Sequence, residues 1–228
     1  MKRILIIAAH PDDEIIGVGG TVAKLKAEGN EIYALILGEG QTSRFDAREL
    51  ADLSLVEKLH QDTLAAAQII GYKEVFFENF PDNRFDSVSL LDVVKKVEQH
   101  IRELSPEVIF THHGGDLNID HQVTNHAVLT ASRPIGNYSV QDIYAFETLS
   151  STEWNFSNKE EQFCPNLFVE INEQSYEKKC EAMRAYASEL CTFPHPRSIE
   201  MFDIQMKKWG STVGKKYAEA FEVIRSVR

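Results

Sequence analysis

Through the first two thirds of the chain, short β-branched apolar runs alternate with longer stretches whose apolar residues recur at helical spacing. Arg3 to Ala8 reads as a strand. Asp13 to Glu28 carries Ile16, Val22, Ala23, Leu25 and Ala27 in a helical pattern, and Gly29-Asn30 closes it as a helix C-terminus would. Glu31 to Leu37 is a second strand, Asp46 to Ile70 a long helix ending at Gly71, and Glu74 to Phe77 a third strand. Ser87 to Leu104 is a third helix, stopped by Ser105-Pro106; Val108 to Thr111 is a fourth strand and Asp120 to Ser132 a further helix. Strands separated by helices of this length predict βαβ units, and so a mostly parallel sheet with right-handed crossovers.

The last third is less regular. Ile143 to Phe146 and Leu167 to Ile171 read as strands, Tyr176 to Leu190 and Ile199 to Lys208 as helices, while Ala218 to Ile224 fits either. No repeat, low-complexity segment or linker interrupts the chain, so residues 1–228 are expected to form a single α/β domain with the last third folded against the rest.

Composition narrows the function classes. An apolar content of 43% supplies a sizeable core, and a net charge of −11 argues against a broad nucleic-acid footprint, which needs a basic face. The three cysteines, Cys164, Cys180 and Cys191, form no CxxC pair, as expected of reduced thiols in a cytoplasmic protein rather than a disulfide framework. No apolar stretch approaches the roughly 20 residues a membrane helix needs. Met1-Lys2-Arg3 precedes an apolar run, but that run ends in charged residues rather than a cleavage site. The expected picture is a soluble, cytoplasmic protein with no nucleic-acid partner and no membrane insertion; a homo-oligomer is compatible with the sequence.

The candidate chemistry lies where the strands stop. His10-Pro11-Asp12-Asp13-Glu14 follows the first strand, and His112-His113-Gly114-Gly115-Asp116-Leu117-Asn118-Ile119-Asp120-His121 follows the fourth. In open α/β sheets ligands gather at the carboxyl ends of the strands where strand order reverses, and in the order 3-2-1-4 the first and fourth strands are neighbours across that point. Two ligand-rich loops distant in sequence are thereby brought to one rim. His10 and Asp13, three apart across a strand-to-helix turn, can both face a metal, and His121 supplies a further neutral ligand. Asp12 is then left on the open side, where a carboxylate can hold and deprotonate a metal-activated water. Two histidines and a carboxylate serve zinc hydrolases and also non-haem iron sites, so Zn2+ is the expected cofactor and Fe2+ would use the same ligands.

Ala9-His10-Pro11-Asp12-Asp13-Glu14 after an N-terminal strand, with the later Asp120-His121, resembles the PIG-L/LmbE family of zinc-dependent N-acetylglucosamine deacetylases. The resemblance covers the first two thirds well and the last third loosely. It implies a Rossmann-like three-layer sandwich, with sheet order near 3-2-1-4-5, and hydrolysis of the acetamide of a small amino-sugar or its conjugate. It also implies His10, Asp13 and His121 as zinc ligands and Asp12 as general base. Many members carry His-Pro-Asp-His at the second motif, where this chain reads Asn118-Ile119-Asp120-His121. An amide can donate a hydrogen bond to an oxyanion but cannot shuttle a proton, so the role falls to Asn118 in altered form or to another residue, His195 or His113.

Other positions carry two readings each. Arg44, after the second strand, can bind a sugar hydroxyl or a phosphate through its planar fork, or be a solvated loop arginine. Asn83 and Arg84, after the third, are substrate contacts or turn residues. His195, within Pro194-His195-Pro196-Arg197, either faces the site or does not. Glu14 can orient a ligand from behind or favour the helix start, and Asp120 can orient a ligand histidine or cap its helix. Gly17-Val18-Gly19-Gly20 lacks the spacing of a dinucleotide loop, and His60, His100 and His126 fit packing or surface roles. Two competing functions stand beside the deacetylase: an amidase of a non-sugar N-acyl metabolite, and a non-catalytic, metal-dependent binding module.

Overall fold

The computed structural model describes residues 1–136, 139–156 and 159–228. Its strands are β1 (Arg3–Ala8), β2 (Glu31–Gly38), β3 (Glu74–Phe80), β4 (Val108–His112), β5 (Asp142–Phe146), β6 (Leu167–Glu170) and β7 (Ala218–Arg225). The helices are α1 (Asp13–Ala27), α2 (Leu53–Ile70), α3 (Leu90–Leu104), α4 (Ile119–Ala131), α5 (Glu173–Ala185) and α6 (Ile199–Thr212). The strands form one sheet in the order β3-β2-β1-β4-β5-β7-β6. Its first five members are parallel, and β7 runs antiparallel between β5 and β6. Order and layering agree with the expectation, and Ala218–Ile224, which fitted either element, is strand.

Both faces of the sheet are covered, which is why the central strands read as unbroken apolar runs. Along β1 the side chains alternate. Ile4 and Ile6 point into a core shared with α1, α2, α5 and α6, including Leu59, Met183, Tyr186 and Phe202. Leu5 and Ile7 point into a second core with Val93, Val97 and Ile101 of α3 and Ala127 and Val128 of α4. Helix α1 is buried all along Asp13–Ala23. Its Gly17 permits that fit: a Cβ there would lie 2.1 Å from a ring carbon of Phe146. The glycine-rich stretch therefore serves helix–sheet packing.

Helix starts differ from the periodicity-based ones where a polar cap overrides it. α2 begins at Leu53 because the Asp52 carboxylate accepts the Ser54 N–H, leaving residues 46–52 as bends around a single 3-10 turn, Arg48–Leu50. α3 begins after Ser89 without a side-chain cap bond, because residues 85–87 form a short 3-10 turn that seats Phe85 in the core.

Candidate metal centre and catalytic cleft

Strands β1 and β4 lie side by side, and their carboxyl ends carry the site. Asp13 opens α1, and its Oδ2 sits 3.4 Å from His10 Nδ1, 3.4 Å from His112 Nε2 and 3.4 Å from His121 Nε2. His10, Asp13 and His121 bring one ligand atom each within 4.8 Å of one another. Among the described residues, Asp13 Oδ1 and both ring nitrogens of His121 are buried with no hydrogen-bond partner. Such groups cost roughly 1–3 kcal/mol apiece when left unmet, so a cluster of them inside a folded site fits a ligand that supplies positive charge.

The surrounding groups orient these atoms. His10 Nε2 lies 2.8 Å from Asp120 Oδ2, and Asp120 also accepts the N–H groups of Asn83 and Phe85. With Nε2 directed at Asp120, the Nδ1 edge of His10 faces Asp13. A second grouping, His10 with Asp82 and Asp120, also has metal-ligand spacing. Its Asp120 oxygens, however, are already occupied by those donors. On the other side, His121 Nδ1 lies 3.1 Å from Asp116 Oδ1. Asp116 is itself fixed by the Ser151 and Thr152 hydroxyls. His112 accepts the Ala9 N–H at Nε2, pairs through Nδ1 with Thr148, and stacks on His121. Its role is to wall the site as a neutral ring.

Electrostatics follow from this packing. Burial pushes Asp13 up, but the His121 ring and hydrogen bonding to His10 outweigh it and hold the carboxyl well below the usual range. Burial pulls His121 down, yet Asp13 and Asp116 raise it to about 9. The carboxylates thus draw a proton to the place where a bound cation would provide the same charge. His112, buried and beside His121, is pushed down to about 3. Burial lifts Glu14 to about 7, while Tyr186 and the Asp12 N–H bond to its two oxygens. Glu14 therefore ties the turn at Asp12 to Tyr186.

Asp12 adopts φ 98°, a region costly for a residue with a Cβ. Its carboxyl group is buried and bonds Arg197 Nη1 at 3.1 Å. Burial raises its affinity for a proton and the Arg197 guanidinium opposes this. Arg197 is held in turn by Glu189 (3.2 Å) and by the Ser150 hydroxyl (2.7 Å). A cleft of about 110 Å³ opens in front, lined by His10, Asp12, Asn118 and Arg197 together with Arg44, Asn83 and Glu189. Arg44 pairs with Glu189 at 2.7 Å, and Asn83 links Ser43, Asp82 and Asn118.

Of the residues singled out in the sequence, His10, Asp12, Asp13, Glu14, Arg44, Asn83, Asn118, Asp120 and His121 come together here. Three do not reach the cleft. Arg84 is exposed and outside the lining. His113 is tied to Glu222 (2.6 Å) and to the Glu161 carbonyl (2.7 Å). The ring of His195 meets Trp154 and its Nδ1 accepts the Arg197 N–H. Within Pro194-His195-Pro196-Arg197 it is the arginine that enters. Asp116, His112, Asp82, Glu189 and Arg197 were not singled out. The two-histidine run and the density of constraints around Arg197 carried a signal, whereas Glu189 had none.

A family model described as GlcNAc-PI de-N-acetylase matches residues 5–132, more than half of the chain. The chain belongs to the PIG-L family. This makes it an enzyme of a family of metal-dependent N-deacetylases. Similar to this PIG-L protein is a diacetylchitobiose deacetylase of Thermococcus kodakarensis, 25% identical over 100% of this chain and 85% of the relative. A probable N-acetyl-alpha-D-glucosaminyl L-malate deacetylase of Bacillus anthracis is 25% identical over 84% and 83%. Among solved structures, a conserved Thermus thermophilus protein superposes with TM-score 0.78 at 25% identity, covering 100% of this chain and 97% of the other. A Pseudomonas putida 4-carboxy-2-hydroxymuconate hydratase superposes with TM-score 0.75 at 19% identity, covering 100% of this chain and 98% of the other. The fold by itself therefore does not fix the reaction. No helix among the described residues is long and apolar enough to cross a membrane.

Proposed function

We propose that this PIG-L protein removes the N-acetyl group from an N-acetylglucosamine-type amino-sugar conjugate, with Zn2+ held by His10 Nδ1, Asp13 and His121 Nε2. The observation that carries this reading is the pairing of an unsatisfied buried ligand cluster with a separate carboxylate, Asp12, at the cleft edge. A binding module has no need of that second, strained carboxylate. The deacetylase relatives support an amino-sugar substrate.

When bound, the cation supplies Lewis-acid activation of the water and of the substrate carbonyl. The rest is done by the chain. Asp12 takes a proton as the water oxygen bonds to the acetyl carbon and the carbonyl electron pair moves onto oxygen. That pair then returns, the C–N bond breaks, and the proton on Asp12 passes to the leaving nitrogen. Acetate and a free amine are the products. Asp120 and Asp116 keep His10 and His121 in place throughout, and Arg44 and Asn83, which line the cleft, are the proposed contacts to sugar hydroxyls.

The test is acetate release from free, lipid-linked and nucleotide-linked N-acetylglucosamine, with and without chelator, alongside metal analysis. We expect chelator-sensitive release and loss of bound zinc in His121→Ala. Release that survives complete metal removal would overturn the metal-dependent reading. Cleavage confined to non-sugar N-acyl amines would overturn the substrate.

A further inference from the structure

Hydrolysis of an amide places negative charge on the former carbonyl oxygen, and a hydrogen-bond donor aimed at that oxygen accelerates the step. Asn118 stands at the position where the family pattern has a histidine for this kind of work, and its side chain is held by the helix cap and by Asn83. Its Oδ1 accepts the Asp120 N–H at 2.8 Å to cap α4, and its Nδ2 donates to Asn83 Oδ1 at 3.0 Å. His113 is bound at both ring nitrogens, and His195 is turned against Trp154.

Resting on the deacetylase reading, we infer that Arg197 is the catalytic donor that stabilises the oxyanion. Its Nη1 reaches Asp12 Oδ2 at 3.1 Å and Glu189 Oε2 at 3.2 Å, and its Nε donates to Ser150 Oγ at 2.7 Å. Three bonds on Nε and Nη1 fix the guanidinium plane beside the base. Nη2 donates to none of the described protein groups in these contacts, and the side chain, about a quarter exposed (26%), lines the cleft. A planar fork held on one side by carboxylates and a hydroxyl thus offers its remaining N–H groups to the space in front of Asp12. That is where the reacting carbonyl must sit if Asp12 is to take the proton of the attacking water. The donor transfers no proton: it hydrogen-bonds the electron pair pushed onto oxygen and releases it when the C–N bond breaks. Glu189, which also holds Arg44 at 2.7 Å, acts as a positioning residue for both arginines.

The experiment compares wild type, Arg197→Ala, Arg197→Lys and Asn118→Ala, each zinc-loaded, on the best substrate of the acetate-release panel. Binding of the corresponding N-methylphosphonyl sugar, a tetrahedral mimic, is measured by calorimetry alongside. For Arg197→Ala we expect a kcat loss of roughly 10²–10³-fold. KM, zinc content and melting temperature should change little, affinity for the mimic should fall in parallel with kcat, and added guanidinium should restore part of the rate. Arg197→Lys should fall between, since an ammonium retains the charge but not the fork, and Asn118→Ala should lose less. Wild-type kcat in Arg197→Ala, or a loss confined to KM with unchanged mimic affinity, would overturn the assignment while leaving the deacetylase reading intact. If Arg197→Ala does not fold, Arg197→Lys decides by the same criteria. Absence of acetate release by wild type on every sugar would overturn the deacetylase reading and this assignment together.

Discussion

Helix α1 carries two buried charged clusters, one at its N-terminus and one at its middle, and they are built in opposite ways. At the middle, Lys179 and Glu219 are paired with each other and with backbone groups. Lys179 Nζ donates to the Ile16 carbonyl (2.7 Å) and to Glu219 Oε1 (2.6 Å), and Glu219 accepts the N–H groups of Gly20 (3.0 Å) and Thr21 (2.6 Å). A regular helix would pair the Ile16 carbonyl with the Gly20 N–H; here an ion pair from α5 and β7 serves both. Glycine at position 20 makes room, because a Cβ there would lie 3.0 Å from Glu219 Oε1. At the N-terminus the same helix leaves Asp13 Oδ1 and the facing His121 Nε2 without hydrogen-bond partners among the described residues, and Asp12 takes a strained backbone conformation. Burial alone does not mark function. Unmet burial does.

The comparison breaks most sharply at Asp12. Asp12→Asn keeps the Arg197 contact and the volume but removes the proton acceptor. Acetate release should drop by about 10²–10⁴-fold with zinc content unchanged, measured by steady-state assay and metal analysis. Full turnover in that variant would remove Asp12 from the base role.

Lys179→Met should do the reverse. Leaving Glu219 buried and unpaired costs about 3–5 kcal/mol of stability, while metal content of the folded protein stays at the wild-type level. Urea denaturation with parallel metal analysis checks this, and a loss of zinc without a loss of stability would erase the distinction between the two clusters. Gly17→Ala tests the packing that carries both: the added methyl meets Phe146, and a cost of about 1–3 kcal/mol is expected by the same denaturation. The smallest effect falls on the cap of α4. Asn118→Ala should lower the unfolding free energy by about 1 kcal/mol through the lost bond to the Asp120 N–H; no change would show that the cap is replaced by solvent.

Much of the fold was readable because local chemistry and burial agree. β1, β2 and β4 are apolar on both faces, so they announce themselves as central parallel strands, and the sheet order around β1 follows from the crossovers. Residues 46–52 misread as helix because their apolar spacing is compatible with one, and only the Asp52 cap, bonded to Ser54, shows where α2 starts. The final strand was ambiguous for a different reason. β7 pairs antiparallel with both β5 and β6, so its neighbours are non-local and leave no periodic trace beyond the strand itself.

At the site, the sequence by itself determined which side chains are available. His10, Asp12 and Asp13 are fixed to one turn by adjacency, and the distance from the fourth strand to His121 is short enough that α4 must begin at the same rim. Tertiary structure decided what each group faces. Only folding sets Asp120 against His10, Asp116 against His121, and Arg197, from beyond α5, against Asp12. It also turned His195 and His113 away from the cleft. The physical reason is range: chain connectivity fixes neighbours within a turn or a strand, whereas a buried charge takes its partner from whichever element the packed cores bring near, and that partner carries no mark in the local sequence.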